Sequence, residues 1–511
     1  MARTESGLPP VSVRPCYRRP GASAESQRLP PTSTKEPLDY EPVVPLGRGH
    51  DRRDFEDEAE GLRPFQNSGD WSEESAAAAR PVAESSKGRV APSSETGARA
   101  VLRKAHGLTY AGLLLFTFVL FYRPYEYVPL PMTLAFWLAI TTFVLYFPAQ
   151  LGAEGNLTAR PREVNLVLLL CLAGLVSIPF AKESMADAWG SFSNIFIRAV
   201  LIFLVIVNVV RTERRLRWLM ALAIGSGVVM AGGALSDYAS GRLTVEGYRV
   251  EGRIGGIFEN PNEMALHLVT MLPIAAALAF GARGLLKKAL YGAAVLVMTA
   301  GVVVTFSRGG FLAMATGMMV LAWLLGRKNR FMVVAAAVVL TVLLLIVAPG
   351  GYGARILSIY DRRLDAFGSA DARQQLLMTS ILVALRNPLF GVGMGNFVHV
   401  SPRSLEAHNA YTQVASEMGA FGFAVYCLYV VTPLRRMLAV ARESFEARRT
   451  SPLYYLAVGL AASLAAYMVA SFFGSFAYYW NVYYLVGYAV CLRRLYEDRQ
   501  AKAAAAAASN S

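Results

Sequence analysis

Cysteine and histidine are sparse in this chain: 4 and 5 of 511 residues. Cys16 lies in the N-terminal stretch, and Cys171, Cys427 and Cys491 lie inside long apolar runs, so neither a disulfide framework nor a Cys-based metal site is indicated. Charge is scarce too. Asp, Glu, Lys and Arg make up 17% of the chain, below the roughly 25% of ordinary soluble domains. The N-terminus lacks a basic stub followed by an apolar core, so no cleaved signal peptide is expected and the first span would itself direct insertion. Paired carboxylates of the kind that hold a divalent cation in outer loops are missing: the first outer loop offers only Glu126, and Asp361, Asp365 and Asp371 are not closely paired.

What is abundant is apolar surface, 54% of residues with a mean hydropathy of +0.38. Span-length runs recur from residue 107 to residue 492, and Phe331–Ala348 is interrupted only by Thr341. At 1.5 Å per residue that run covers about 27 Å, close to a hydrocarbon core. The expected fold is all-α, a polytopic integral membrane protein of about twelve transmembrane helices. The spans are placed near 105–122, 131–149, 164–180, 194–210, 217–236, 263–282, 289–306, 310–326, 331–348, 411–432, 453–473 and 478–492. Residues 1–103, rich in Pro, Ser, Glu, Arg and Ala, are expected to form a disordered cytoplasmic tail. The membrane domain follows over 104–498, and the Ala-rich 499–511 is expected to be a second disordered end.

The net charge of +14 raises nucleic acid as a partner, but its distribution argues against that. Arginines and lysines cluster between spans, at 211–217, 283–288, 327–330 and 435–449, as the positive-inside rule requires. Starting inside, strict alternation puts every one of these clusters, and both termini, in the cytoplasm. The same alternation puts the segments around 237–262, 307–310 and 349–410 together on the outer side.

The 349–410 loop is the most informative segment, because loops beyond about 15 residues are usually functional or disordered. Ser369 or Asp371 can cap a helix carrying Leu376, Leu377, Ile381 and Leu385 at helical spacing, and Asn387-Pro388 should stop it. GVGMGNF follows, without the alternating strand–helix context of a dinucleotide fold, so its glycines are read as permitting close backbone approach to headgroups or neighbouring helices. His408-Asn409 then opens the next span. Asn409 can cap that helix, and a histidine there can serve as general base for an incoming hydroxyl. The bland alternative is an interfacial histidine with ordinary hydrogen bonds.

Three arginines complement it: Arg253 in EGRIGGIFENPN, Arg308 in TFSRGGF, and Arg373 at the start of the loop helix. Guanidinium groups bind phosphate oxygens in two-pronged fashion and never deprotonate, which suits a pyrophosphate. Snorkelling or headgroup contact is the alternative for each. Glu417, half a helical turn out of phase with His408, is expected to bind a basic residue within the bundle. His267 and His399 are read as structural.

Taken in order, Arg253 with GGIFENPNEMA, TFSRGG, then Arg373, NPLFGVGMGNF, HNAY and Glu417-x-Gly419-x-x-Gly422 resemble the O-antigen ligase and polymerase superfamily over roughly 253–425. FYRPYEYVPLP also looks like the first hairpin of many relatives. The resemblance implies a GT-C-like membrane enzyme that moves a glycan from polyprenyl diphosphate to an acceptor hydroxyl on the periplasmic face. It implies His408 as catalytic base and Arg253, Arg308 and, more weakly, Arg373 as substrate-binding residues. No metal and no cofactor are implied. Partners would be the lipid-linked glycan donor, membrane lipid, and a glycan, lipid A core or protein as acceptor. The competing reading is a flippase or permease for such lipids or small anions. It would need ionisable groups along a transmembrane path, whereas the candidate residues gather on one face.

Overall fold

The structure is a computed structural model that describes residues 106–510, apart from 244, 246–247, 251, 254–259, 328, 359–362 and 364–367. The expected N-terminal tail lies outside the described residues. The rest is helical: the one pairing of extended backbone among the described residues is a bridge between Val245 and Arg249.

The helices are α1 (Gly107–Tyr122), α2 (Leu134–Glu154), α3 (Arg162–Phe180), α4 (Met185–Val209), α5 (Glu213–Ala239), α6 (Pro261–Gly281) and α7 (Leu285–Val304). They continue with α8 (Arg308–Leu325), α9 (Arg330–Val347), the short α10 (Tyr352–Leu357), α11 (Ser369–Arg386), α12 (Ala410–Glu443), α13 (Leu453–Ala470) and α14 (Trp480–Asn510). Nine of them, α2 to α8 with α12 and α13, are long and apolar enough to cross a membrane. That makes the chain a polytopic membrane protein. The other three expected spans coincide with α1, which has 16 residues, with α9, whose apolar stretch Arg330–Val339 is short, and with α14, which turns charged after Leu492. Alanine is the best helix former, and α14 runs helically through the Ala-rich end to Asn510.

The middle of the bundle is α13 with α6 and α8 packed on it. Ala457, Ala461, Ala462 and Ala466 of α13 are wholly buried, and small side chains let helix backbones approach where lipid gives no hydrophobic drive. The long α12 lies against α13 and α3, α11 packs on α12, and α14 closes against α4.

α12 is broken. Gly419 has φ 72° and ψ −173°, so the helical ladder opens there and leaves carbonyls without helical donors. The Ser416 carbonyl accepts from the Val392 N–H at 2.8 Å, that of Glu417 accepts from Gly393 at 3.1 Å, and the Ala420 N–H donates to the Pro388 carbonyl at 2.7 Å. A Cβ at position 419 would stand 2.4 Å from the Leu389 oxygen, so only glycine fits. The glycine-rich stretch after Asn387-Pro388 is thus laid onto a neighbouring helix. The same stretch is tied to the segment after α3, where Asn396 exchanges two hydrogen bonds of 2.9 Å with the Ser184 backbone and Phe390 stacks on Phe180.

α11 begins one residue differently from its expected cap. Gly368, left-handed at φ 60°, takes the N-cap position without a side-chain bond, while Asp371 falls in the first turn, where the helix dipole favours an acid. α11 is fastened to α12 by the Ser380 hydroxyl donating to that of Thr412 at 2.8 Å.

Candidate functional site

Four helices, α6, α8, α12 and α14, bring their N-termini to one end of the bundle around the segment 471–479. Three have polar caps: Asn260 accepts from the Asn262 N–H at 2.9 Å, Ser307 from Gly310 at 3.2 Å, and Asn409 from Tyr411 and Thr412 at 3.0 and 3.1 Å. Helix N-termini favour anions, so the convergence suits a negatively charged substrate group.

His408 sits just ahead of the Asn409 cap, half-buried, in a left-handed conformation at φ 50°. That backbone costs a non-glycine residue roughly 1–2 kcal/mol, and the surroundings hold it. The His408 N–H donates to the Ser475 hydroxyl at 3.0 Å, the Ala410 N–H to the Ser471 carbonyl at 2.8 Å, and the Asn409 amide to the Phe472 carbonyl at 3.4 Å. Burial, with the positive charge of Arg373 second, pushes the His408 imidazole down to about 4. The ring is therefore neutral at neutral pH and able to accept a proton. Arg373 is thus brought to the histidine.

Ser475 also donates to the carboxylate of Glu406, whose pKa is raised by desolvation against the lowering effect of that bond. Neither residue stands out in the sequence. Ser475 lies in SFFGSFAYYW, an apolar stretch between spans, and Glu406 in a loop without pattern.

The same segment reaches Arg308. A Cβ on Gly309 would stand 2.5 Å from Cβ of Phe473, so the first turn of α8 lies directly on the segment that braces His408. Arg308 is buried, and its Nη1 donates to the Ser358 hydroxyl at 2.8 Å, which in turn donates to the Arg355 carbonyl at 2.7 Å. The amide oxygen of Asn262 accepts from the Ser307 hydroxyl at 2.8 Å and from Nη2 of Arg249 at 3.1 Å. Arg249 is a buried arginine that sequence reading passed over for its neighbour Arg253; its Nε reaches the Thr305 carbonyl at 2.9 Å. Next to Asn262, Glu263 accepts from the Tyr479 hydroxyl at 3.2 Å, which closes the circuit back to α14.

Arg253 is engaged differently. Its Nε and Nη2 donate to Oδ2 and Oδ1 of Asp237, each at 2.7 Å, and Nη2 also donates to the Ser236 hydroxyl at 3.0 Å. Asp237 in turn takes Arg242 at 2.6 Å. The Nη1 edge of Arg253 has no partner among the described residues, and the side chain is 40% exposed.

The other titratable residues singled out from the sequence meet structural partners. Glu417 pairs with no base among the described residues; it accepts from the Tyr478 hydroxyl at 2.7 Å and from the backbone amides of Gly395 and Phe397, because the break at Gly419 admits that loop. His267, wholly buried, meets the Ser226 hydroxyl at 3.0 Å and the Ala223 carbonyl at 3.2 Å. His399 pairs with Asp187 at 2.9 Å on the exposed side. Among the described residues no three His, Cys, Asp or Glu side chains converge as a metal-ligating group.

Comparison with known proteins adds a family. Residues 293–427 match the family described as O-Antigen ligase, a stretch that includes Arg308, Arg373 and His408. No curated protein matches the chain. A solved structure reported as "Structural coordination of polymerization and crosslinking by a peptidoglycan synthase complex" is 18% identical, over 66% of this chain and 97% of that one, with a TM-score of 0.38.

Proposed function

This chain carries an O-antigen ligase domain over residues 293–427, and from that premise we propose that it is a membrane glycosyltransferase. It moves a glycan from polyprenyl diphosphate to an acceptor hydroxyl at the periplasmic face of a bacterial inner membrane, as an O-antigen ligase or polysaccharide polymerase does. The site end of the bundle faces the periplasm and both termini face the cytoplasm, with about twelve spans in a GT-C-like plan. No metal takes part.

In this reading the neutral His408 takes the proton of the acceptor hydroxyl as its oxygen attacks the anomeric carbon. The bond to the diphosphate oxygen breaks, and the charge left on the diphosphate is met by Arg308 and Arg253 in place of a metal ion. Arg373 flanks His408 and opposes its protonation until an anion arrives. The acceptor is a glycan, lipid A core or protein hydroxyl.

One observation supports the reading above the others. The segment 471–475 touches the Arg308 turn through Phe473 and braces His408 through Ser475, so base and charge clamp share one short support. A flippase has no use for a strained histidine fixed at one end of the bundle.

The test is transfer by the purified full-length chain from a lipid-linked glycan to candidate acceptors, with products identified by mass. His408→Ala should lower transfer about 100- to 10,000-fold at unchanged abundance. Donor crossing the bilayer with no glycosylated product would instead favour the flippase.

A further inference from the structure

Three arginines at the far end of α8 from Arg308 border a groove that glycan transfer leaves unused. Its volume is about 470 Å³, and Met319 and Leu324 of α8 and Leu438 of α12 form its apolar wall. Arg327, Arg330 and Arg442 stand at its mouth, and no Asp or Glu lines it among the described residues.

The arginines are held in an unusual way. Arg330 lies over the indole of Trp323, 4.7 Å from the ring centroid, and Arg327 lies over Phe445 at 4.5 Å. Stacking occupies the guanidinium faces and leaves the N–H edges pointing outward. None of the three has an ion pair or a side-chain hydrogen bond among the described residues. Position alone does not explain this, since Arg436 on the same helix is paired with Glu163 at 2.7 Å. The groove also opens at the N-terminus of α9, whose dipole adds to the positive field.

A cationic mouth over an apolar wall at the end of a membrane-spanning helix fits one chemistry. The ligand must have an anionic head with donors all around it and a hydrocarbon tail that leaves sideways into the bilayer. Free phosphate would gain nothing from Met319, Leu324 and Leu438. We propose that this groove binds an anionic phospholipid, with its phosphate on Arg327, Arg330 and Arg442 and an acyl chain along α8 and α12.

The experiment uses the full-length chain in phosphatidylcholine nanodiscs into which phosphatidylglycerol is titrated, with retained lipid counted by native mass spectrometry. The intact protein should keep phosphatidylglycerol over phosphatidylcholine by tenfold or more. The combined Arg327→Gln, Arg330→Gln, Arg442→Gln variant should lose that preference, and Leu438→Trp, which fills the wall without touching charge, should lose it too. Arg435→Gln with Arg449→Gln should keep it. Equal loss in that control would reduce the effect to surface charge and overturn the site. So would unchanged preference in Leu438→Trp, or displacement of the lipid by millimolar inorganic phosphate.

Discussion

Arg253 grips Asp237 through two parallel hydrogen bonds, Nε on Oδ2 and Nη2 on Oδ1, both 2.7 Å long. The pair fixes the plane of the guanidinium and leaves its Nη1 edge turned away. An arginine already oriented loses less freedom when an anion docks, so the acid acts as a mount for the cation.

Asp237→Asn should therefore raise the KM for the lipid-linked donor about tenfold while changing kcat less, since a neutral amide cannot hold the fork as firmly. In an Arg253→Gln background the same change should add little, because the two residues act as a unit. Steady-state kinetics on the four proteins decides it. Tighter donor binding in Asp237→Asn would mean that the acid masks the arginine.

The pH dependence follows from His408. With its pKa near 4 in the free protein, the acid limb of kcat/KM should lie near pH 4, well below the ordinary histidine value of about 6.5. Arg373→Gln removes a positive neighbour, so the pKa rises and activity in mildly acidic buffer falls. A bound diphosphate should act in the same direction, placing the acid limb of kcat above that of kcat/KM. Stability has the matching sign. A folded-state pKa below the unfolded one means this group's contribution is full above about pH 6.5 and is lost as pH falls toward 4. Superimposable limbs in wild type and Arg373→Gln would detach Arg373 from the histidine.

Arg308 tests geometry against charge. Arg308→Lys keeps the charge but loses the planar fork, and transfer should drop by at least about tenfold. Arg435→Lys, near the other end of α12, should be silent because orientation in the membrane needs only charge. Transfer should also survive EDTA. An enzyme silenced by chelation and revived by a divalent ion would show that arginine does not carry the leaving-group charge.

Gly419→Ala should cost roughly 2–4 kcal/mol, since the new methyl meets the Leu389 oxygen at 2.4 Å in a left-handed backbone. Gly292→Ala, where a Cβ meets nothing within 4 Å, should be neutral or slightly stabilising. Thermal unfolding in detergent compares them, and equal midpoints would mean that α12 relaxes around the break.

The sequence makes the apolar segments legible, because a bilayer demands long uninterrupted runs whatever their tertiary neighbours. It also marks Arg308 and His408, ionisable groups at span boundaries. Asp237 was hidden by one residue: the fifth span reads as ending at 236, whereas α5 continues to Ala239 and places the acid in its last turn. Ser475 is hidden by distance along the chain, since a serine in an aromatic stretch carries no sign of the histidine it supports 67 residues earlier. The partner of Glu417 could not be read off helical phase. Phase compares positions on one helix, whereas this carboxylate's partners, Tyr478 and the Gly395 and Phe397 amides, come from other segments.

The brace at 471–475 also sets the order of events during biosynthesis. His408, Arg308 and Arg373 all leave the ribosome before the residues that hold His408 in place exist. At about 5–20 residues per second the wait lasts several seconds, while α12 and α13 are being inserted. A nascent chain that ends between residues 428 and 470 contains the entire stretch matching the family, residues 293–427, yet lacks Ser471 and Ser475, which accept from the Ala410 and His408 N–H groups. The boundary drawn by likeness to relatives and the boundary of the contacts that hold His408 therefore differ, and a fragment cut at residue 427 would leave the His408 backbone without Ser475.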